Sequence, residues 1–517
     1  MRRFIRSQPL RLALLPIALV VVGAVPGVAR GQSADAVALT APAGVPAPVT
    51  AHEYRARRQA LAATMDDGVL LALGPTSSGA SFAPFAQSPD VLYLTGLVEE
   101  GVALLLEKRG NDLLETLFVL PGDPGSEIWD GKRLGVEAAQ RLTGIRTRPR
   151  EELASALDSL LSRAETLYTT SSAGSTDAML ADLPYPLQVL ARLRQRHPQV
   201  RVLSLAQPIQ RLRAAKSPAE LDRIRRAVHI TALAHREAMR AAAPGMNEFE
   251  LHALIEYTFR RNGADHPGFG SIVGSGPNST TLHYRTNDRF FDPGDLVVMD
   301  IGAGYDGYTA DVTRTIPVDG SFSPEQRAIY EVVLSAQKAA VARVRPGATW
   351  DDLNQAADAV LAQGLARLGL IESPDATYQG PSGPVLQLRL FYMHGLGHGI
   401  GLQVHDPEAS YFGPFQPGSA FTIEPGLYIR PDALDYLADT PQNRALRERL
   451  GEALRRYAGI GVRIEDDYIV TADSYDRISA GAPREIDEIE VLMRSDPGGP
   501  GVRHGDVVEW YRSLEGN

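Results

Sequence analysis

Residues 297–316 read V-V-M-D-I-G-A-G-Y-D-G-Y-T-A-D-V-T-R-T-I, two runs of strand-forming residues joined at Asp306-Gly307, a dipeptide typical of two-residue hairpin turns. With that loop, residue 300 pairs with residue 313. Asp300 and Asp311 then share one face of the hairpin as diagonal neighbours, about 8 Å apart at the backbone. Aspartate is depleted in strands, and two like charges this close repel each other. A bound cation would remove the conflict, whereas on a solvent-exposed face the two carboxylates would need no partner.

Three further segments carry side chains that can bind metals. H-G-L-G-H-G-I-G (394–401) holds two histidines in a glycine-rich backbone, which is not a stable helix interior and lets a substrate or metal approach closely. T-I-E-P-G (422–426) places Glu424 at the end of a strand, just before a turn. V-R-I-E (462–465) is a strand with Arg463 and Glu465 on one face. Each segment alone is weak evidence, because a single His or Glu at a strand end is usually structural.

Together the segments supply two aspartates, two glutamates and a histidine, which predicts a two-metal hydrolytic site. In such a site, carboxylates bridge two divalent ions about 3.5–4 Å apart. Four carboxylates also offset the charge of two divalent cations. Oxygen ligands with one imidazole favour Mn²⁺, with Co²⁺, Fe²⁺ or Zn²⁺ as alternatives.

The second half of the chain contains a repeated pair of helices. Ser217-Pro218-Ala219-Glu220 opens a helix with an N-cap, a proline in the first turn and a capping box, and the helix stops at Pro244-Gly245. A second helix follows from Asn247 to about Asn262. The same order returns roughly a hundred residues later, with a cap at Ser323, a stop at Pro346-Gly347 and a helix from Asp351 to about Leu368. This predicts two related α-α-β halves around a shared crevice, with chance similarity of two capped helix pairs as the alternative.

The first half of the chain alternates predicted strands and helices. Strands are predicted at 68–74, 102–106, 117–120 and 200–205, and helices at 151–162 and 187–196. Such alternation favours an α/β domain. The predicted organisation is a signal peptide (1–31), a linker (32–50), an N-terminal domain (51–206), a catalytic domain (207–497) and a C-terminal tail (498–517).

Composition excludes several classes of protein. The 517-residue chain carries a formal net charge of -10, which argues against nucleic-acid binding. It has no cysteine, which excludes disulfides, zinc–thiolate sites, thiol catalysis and a lipid-modified N-terminal cysteine.

The N-terminus has the layout of a secretory signal peptide. Four arginines precede an apolar run from Leu12 to Ala29 that ends in small residues. An uncleaved membrane anchor is the alternative, but Pro16 and Pro26 interrupt the run. We therefore expect cleavage after Ala29 or Gly31 and export to a bacterial periplasm or beyond, with no stable membrane anchor.

The ordered motifs resemble those of the pita-bread metallopeptidases, which include methionine aminopeptidases, prolidases and Xaa-Pro aminopeptidases. The resemblance runs from about Lys216 to Met493 and rests on L-H-Y (282–284), H-G-L-G-H-G-I-G (394–401), T-I-E-P-G-L-Y (422–428) and G-V-R-I-E-D-D (461–467). It implies an α/β N-terminal domain followed by an α+β pita-bread (creatinase/aminopeptidase-like) catalytic domain with pseudo-twofold α-α-β halves.

The N-terminal half narrows the resemblance to Xaa-Pro aminopeptidases. E-Y-R-A-R-R-Q-A-L (53–61), Q-S-P-D-V-L-Y-L-T-G (87–96) and S-E-I-W-D-G-K-R-L-G (126–135) resemble their N-terminal domain, which methionine aminopeptidases lack. Two regions depart from the pattern. Residues 434–457 look longer than usual in the loop before the last ligand, and the tail after Pro497 resembles nothing in the family.

The resemblance implies a role for each candidate residue. A water or hydroxide between the two metal ions would be the nucleophile, and Glu424 would also take its proton. His283 and His394 would orient the scissile carbonyl. His405 and Arg463 would contact substrate or hold the site, with Tyr428 a weaker candidate. The implied metal ligands are Asp300 on one ion, His398 and Glu424 on the other, and Asp311 and Glu465 bridging both.

The implied activity is that of an Xaa-Pro aminopeptidase, which removes the first residue from peptides with proline in second position. A bond to proline has no N–H, so a site that attacks with a metal hydroxide and holds the ring in an apolar pocket suits it. A prolidase, which cleaves Xaa-Pro dipeptides only, is the nearest alternative. A non-catalytic peptide-binding module is a remote one, since all five ligands are present. Homodimers and homotetramers both stay open. His229, His235 and His252 lie on predicted helices and are expected to be ordinary helix residues.

Overall fold

A mixed β-sheet with helices on both faces forms the first part of the chain in this computed structural model, which describes residues 46–76, 85–171 and 184–496. The strands are β1 (Gly68–Leu73), β2 (Ala103–Arg109), β3 (Asp112–Val119), β4 (Arg146–Pro149), β5 (Thr166–Thr169) and β6 (Arg201–Ser204). The helices are α1 (Ala51–Ala63), α2 (Pro89–Thr95), α3 (Pro124–Asp130), α4 (Gly135–Thr143), α5 (Leu153–Leu161), α6 (Tyr185–Arg196) and α7 (Ala206–Ala214).

Strand β1 lies inside this sheet, whose order is β4-β3-β2-β1-β5-β6. It pairs antiparallel with β2 and parallel with β5. Leu70 and Ala72 pack on one face, while Val69, Leu71 and Leu73 pack on the other. Because both faces are covered, the strand reads as a continuous apolar run rather than an alternating one.

The predicted elements of the first half are all present, with shifted ends. The largest shift is at β3, which begins at Asp112 rather than at residue 117, because its polar first half also pairs with β2. The described residues belong to one compact unit, and none of their helices is long and apolar enough to span a bilayer. The predicted signal peptide, residues 32–45 of the predicted linker and the C-terminal tail lie outside the described residues.

The two predicted helix pairs are confirmed. They are α8 (Pro218–Ala241) with α9 (Glu248–Arg261), and α10 (Pro324–Val341) with α11 (Trp350–Arg367). Ser217 and Ser323 accept the predicted N-cap hydrogen bonds, and both capping boxes are complete. Helices α8 and α10 end a few residues before the Pro-Gly pairs that were expected to stop them.

The predicted hairpin is also confirmed, including its register. It consists of β9 (Leu296–Ile301), β10 (Ala303–Tyr305), β11 (Tyr308–Thr309) and β12 (Val312–Pro317). Asp300 pairs with Thr313 as expected. Asp306 and Gly307 form the turn with positive φ angles of 48° and 81°. Strand β8 (Ile272–Ser275) joins β9, and β7 (His266–Pro267) joins β10.

Further strands complete the second half. They are β13 (Thr377–Gly380), β14 (Gly383–Leu386), β15 (Ala420–Ile423), β16 (Gly426–Ile429), β17 (Ile460–Arg463), β18 (Asp466–Val470) and β19 (Tyr475–Arg477). Strand β15 pairs with β18, and β16 with β17. Residues 462–465 are therefore not one strand. Ile464 and Glu465 lie where the chain leaves the β16 ladder and enters the β15 ladder.

The sequence had suggested that residues 434–457 form a longer loop than usual, but they are not a loop. Most of this segment is helix α12 (Pro441–Tyr457), capped by the Thr440 side chain. The last helix of the described residues is α13 (Ile486–Met493). Leu446, Leu450 and Leu454 recur every four residues along α12 and are buried. This spacing is the helical signal that identifies the segment.

Side chains of the first half contact the segments that carry the candidate site. Arg213 on α7 binds Asp90 of α2 (2.8 Å) and also Asp406, next to His405. Arg57 on α1 lies 3.3 Å from Glu220, which accepts a hydrogen bond from Tyr308 of the hairpin (3.0 Å). The first half therefore supports both the hairpin and the His405 segment.

The glycine-rich segment 394–401 runs alongside β15 as an additional, irregular strand. Thr422 N donates to His398 O, and Glu424 N donates to Leu396 O, both at 2.8 Å. A Cβ atom at Gly397 would lie 2.1 Å from Thr422 O, whereas one at Gly395 would meet nothing within 4 Å. The sequence had suggested that glycine lets a substrate or metal approach here. Gly397 instead makes room for the neighbouring backbone.

Gly397→Ala is expected to lower the thermal midpoint and to remove most of the activity. The reason is that overpacking at a rigid backbone contact costs ~2 kcal/mol of folding free energy. Gly395→Ala adds the same methyl group on the cavity side, where it meets nothing within 4 Å, and is the matched control for stability, with an expected midpoint close to that of the wild type. Thermal denaturation followed by circular dichroism compares the two. Equal midpoints would contradict the backbone contact at Gly397.

Candidate active site

One cavity of about 360 Å³ is lined by nine of the ten candidate residues predicted from the sequence; the tenth, Tyr428, lies behind it. They reach it from the hairpin, the 394–405 segment, the end of β15, the β17–β18 junction and the loop before residue 289. The nine residues are His283, Asp300, Asp311, His394, His398, His405, Glu424, Arg463 and Glu465.

The floor of the cavity holds a tight group of possible metal ligands. One ligand atom from each of Asp311, His398 and Glu465 lies within 4.8 Å of the others. His398 Nε2 lies 3.4 Å from Asp311 Oδ2 and 3.5 Å from Glu424 Oε1. Asp300 lines the same cavity and is held by Arg463, whose Nη2 is 2.6 Å from Asp300 Oδ2.

The carboxylates on the cavity floor are buried and repel one another. Burial, and then the neighbouring carboxylate Glu465, raise the pKa of Asp311 well above its usual range. Burial and then Glu424 do the same to the pKa of Glu465. Burial raises the pKa of Glu424 to about 8, although Arg463 opposes the shift. A divalent cation would relieve this repulsion.

The donor set fits divalent metal ions. Asp300 Oδ1 and Asp311 Oδ1 are buried and have no hydrogen-bond partner in the described part of the chain. Burial lowers the pKa of His398 to about 4, so its imidazole is neutral, the form that binds metals. Its Nδ1 donates to Gly399 O (3.1 Å), which leaves the Nε2 lone pair facing Asp311 and Glu424.

The family comparisons agree with this geometry. A model described as "Metallopeptidase family M24" matches residues 222–472, and "Aminopeptidase P, N-terminal domain" matches residues 54–168. The Xaa-Pro aminopeptidase of Escherichia coli (strain K12) is 34% identical over 459 residues, covering 86% of this chain and 98% of that protein. The chain belongs to the Xaa-Pro aminopeptidases of metallopeptidase family M24.

Solved structures of aminopeptidase P share the fold. Proline aminopeptidase P II from Yersinia pestis has a TM-score of 0.72 and 34% identity, covering 86% of this chain and 99% of that one. A zinc-substituted E. coli aminopeptidase P in complex with product has a TM-score of 0.72 and 32% identity, with the same coverage. The predicted fold class is confirmed: an α/β N-terminal domain precedes a pita-bread domain. The predicted enzyme class, a metallo-aminopeptidase, is confirmed as well.

Among the family's candidate histidines, His394 and His283 differ in their surroundings. His394 Nδ1 donates to Gly395 O (2.7 Å), and its Nε2 accepts from the Tyr428 hydroxyl (2.9 Å). Burial, and then Arg463, lower the pKa of His394 to about 4. His283 is exposed to the cavity, and no hydrogen bond of its ring occurs within the described residues. Of these two histidines, His283 is therefore the one free to contact a substrate.

Tyr428 links two other residues of this aminopeptidase site by hydrogen bonds, although the sequence made it only a weaker candidate. Its hydroxyl accepts from Arg463 Nη1 (2.9 Å) and donates to His394. Thr313, which the sequence did not single out, donates from Oγ1 to Glu465 Oε2 (2.6 Å). His405 stacks on His398 with ring centroids 4.2 Å apart.

Behind the M24 ligands lies a second set of buried contacts. Arg314 is fully buried, donates to Thr313 O (2.8 Å) and pairs with Asp466 (2.6 Å). His235 is also fully buried, and its Nε2 donates to Val312 O (2.9 Å). Burial lowers the pKa of His235 to about 3. His235 therefore supports the strand that follows Asp311, whereas the sequence had suggested an ordinary helix residue.

His229 and His252 match that expectation more closely. His229 is exposed on α8, and His252 on α9 pairs with Glu256 one turn later (3.0 Å). The cavity lining also includes residues that were not candidates in the sequence analysis, namely Phe269, Ile272, Leu282, Arg285 and Val404. Only Leu282 belongs to a quoted motif; the others have no sequence signal beyond their position in the fold.

Tyr428→Phe is expected to lower kcat about tenfold, because it removes one hydroxyl that positions both Arg463 and His394. Tyr392→Phe is the matched control. Tyr392 is equally buried and packs edge-on against His394, but its hydroxyl has no hydrogen-bond partner in the described part of the chain. Steady-state kinetics on a proline-containing tripeptide, with circular dichroism to check folding, compares them. Similar kcat values for the two variants would remove the positioning role of Tyr428.

Proposed function

We propose that the protein releases the first residue from peptides with proline in second position, using two divalent ions. The observation that carries this proposal is the group of Asp311, His398 and Glu465 ligand atoms within 4.8 Å of one another on the cavity floor. We assign Asp300 to one ion, His398 and Glu424 to the other, and Asp311 and Glu465 to both. Mn²⁺ is the proposed ion, with Co²⁺, Fe²⁺ and Zn²⁺ as alternatives.

Bound divalent ions supply a nucleophile at neutral pH by lowering the pKa of water, and they polarise the substrate carbonyl. The protein's own residues do the rest. Glu424 lies beside His398 and is placed to accept the proton of the attacking water. His283 is free to donate to the scissile carbonyl oxygen as charge develops there. Arg463 and Tyr428 hold Asp300 and His394 in place.

The remaining lining suits a proline ring. Phe269, Ile272, Leu282 and Val404 present apolar surface in the same cavity. A peptide bond to proline lacks an N–H. A peptidase that must accept a hydrogen bond from that N–H therefore cannot cleave the bond. A site that relies on a metal-activated water and an apolar pocket does not need the hydrogen. This chemistry also suits a prolidase, so peptide length separates the two activities.

We also propose that the protein acts outside the cytoplasm. The support is the arginine-rich start followed by the apolar run from Leu12 to Ala29. Fractionation of the source cells, with N-terminal sequencing of the mature protein, tests this. An intact Met1 on cytoplasmic protein would contradict export. Assembly as a homodimer or homotetramer stays a prediction.

The substrate test compares Ala-Pro-Ala with the dipeptide Ala-Pro, using purified protein in Mn²⁺ and again after chelation. We expect metal-dependent release of alanine from the tripeptide. Turnover of the dipeptide alone would make the protein a prolidase. With bound metal and no turnover of either peptide, the site would act on another N-terminal sequence or only bind peptides.

Asp311→Ala and Glu465→Ala are each expected to remove metal binding and activity, because each deletes a carboxylate assigned to both ions. Asp439→Ala is the control, since it deletes the same charge at an exposed carboxylate paired with Arg444. Metal content after dialysis, measured by plasma mass spectrometry, and tripeptide hydrolysis give the readouts. Full activity and two bound ions in either site variant would disprove the two-metal assignment.

A further inference from the structure

Arg285 is a cationic side chain that lines the cavity and has no assigned role. The cavity has one other arginine, Arg463, which is buried and bound to Asp300 and Tyr428. Arg285 is exposed, and across residues 46–76, 85–171 and 184–496 it makes no hydrogen bond or ion pair. Its guanidinium is therefore available to an anion that enters the cavity.

The loop that carries Arg285 is firmly held on both sides. Tyr284 donates from its hydroxyl to Glu248 Oε2 (2.9 Å), and Arg289 N donates to the same oxygen (2.9 Å). Glu248 is fully buried. Asn287, also buried, accepts from Val273 N (3.0 Å) and donates to Ser271 O (2.9 Å). These anchors fix the backbone that presents Arg285 to the cavity.

Arg285 also lines the same cavity as His283. It follows His283, which is free to contact the scissile carbonyl, by two residues. A spacing of two residues covers at most roughly 7 Å of chain. In a bound tripeptide, the C-terminal carboxylate lies two residues beyond the scissile carbonyl, which is also roughly 7 Å. In an Xaa-Pro dipeptide the carboxylate lies only half as far away.

We propose that Arg285 binds a carboxylate carried by the third residue of the substrate. This inference rests on the proposed function and narrows its substrate class. The carboxylate is either the C-terminus of an Xaa-Pro-Yaa tripeptide or an acidic side chain in third position. A guanidinium matches this planar anion with two parallel hydrogen bonds. The contact is expected to favour Xaa-Pro-Yaa tripeptides over Xaa-Pro dipeptides, because a dipeptide carboxylate lies one residue nearer to the scissile carbonyl.

The kinetic test uses Mn²⁺-loaded enzyme and three peptides, Ala-Pro-Ala, Ala-Pro-Ala amide and Ala-Pro-Glu amide. For the wild type, we expect kcat/KM to fall about tenfold from the free acid to the amide, as expected when a charged hydrogen bond is lost. Arg285→Ala should cleave acid and amide equally, and Arg285→Lys should keep part of the preference. Arg261→Ala, which removes an exposed arginine outside the cavity lining, is the matched control and should behave like the wild type.

The third peptide distinguishes the two sources of the carboxylate. If Ala-Pro-Glu amide recovers the rate of the free acid, Arg285 accepts a side-chain carboxylate as well as a C-terminus. If it does not recover, the C-terminus is the ligand. Equal wild-type rates for Ala-Pro-Ala and its amide would overturn the role of Arg285 and leave the aminopeptidase activity intact.

A binding measurement keeps the test decisive if no peptide is turned over. Pro-Ala and Pro-Ala amide correspond to what remains after the first residue is removed, and neither contains an Xaa-Pro bond. Calorimetry on the Mn²⁺-loaded protein should show about tenfold tighter binding of Pro-Ala than of its amide, with the difference lost in Arg285→Ala. Equal affinities would refute the contact, whether or not the protein is a peptidase.

Discussion

The crowding of carboxylates on the floor of one cavity is the constraint to which the surrounding structure responds. Asp311 and Glu465 are buried, and Glu424 and Asp300 join them around the same space. Like charges repel strongly where water is excluded, and each buried charge also loses its hydration. Such a group of carboxylates is tolerated only where cations are bound or where nearby donors form hydrogen bonds and ion pairs with them. The protein supplies the donors, and the family chemistry supplies the cations.

The donors come from both halves of the catalytic domain. Arg463 from β17 neutralises Asp300 of β9, while Thr313 of β12 donates to Glu465 just before β18. Behind them, Arg314 crosses from β12 to Asp466 in a fully buried pair. Burial alone would raise the pKa of Asp466, but Arg314 and then Arg484 lower it below its ordinary value. The two halves are therefore joined by charge as well as by packing.

Local chemistry explains why so much of this site could be predicted from the sequence. Asp306-Gly307 allows one hairpin register, and that register places Asp300 opposite Thr313. Ser217 and Ser323 begin helices through hydrogen bonds made within four residues. The motifs around His398, Glu424 and Glu465 are equally local, so the sequence could identify these residues as candidates together with the family resemblance.

Features that depend on distant parts of the chain were missed. Gly397 is constrained by the backbone of Thr422, and His235 by the carbonyl of Val312, neither of which is near in sequence. The break between β17 and β18 exists because the chain changes partner strands. Helix α12 is a different case. Its four-residue leucine spacing is a local signal that predicts a helix, whereas the family pattern indicates only that residues 434–457 are longer than usual.

The contacts of Arg57 and Arg213 bear on how the enzyme can be divided. Arg57 of the first half pairs with Glu220 of the second half. Arg213 pairs with both Asp90 of the first half and Asp406 of the second. A fragment that began after residue 206 would keep the candidate ligands but lose Arg57 and Asp90. It would leave Glu220 without its arginine and would loosen the anchor of the His405 segment. The N-terminal domain thus belongs to the same folded unit as the catalytic residues, and a fragment without it should unfold at a lower temperature than the longer chain.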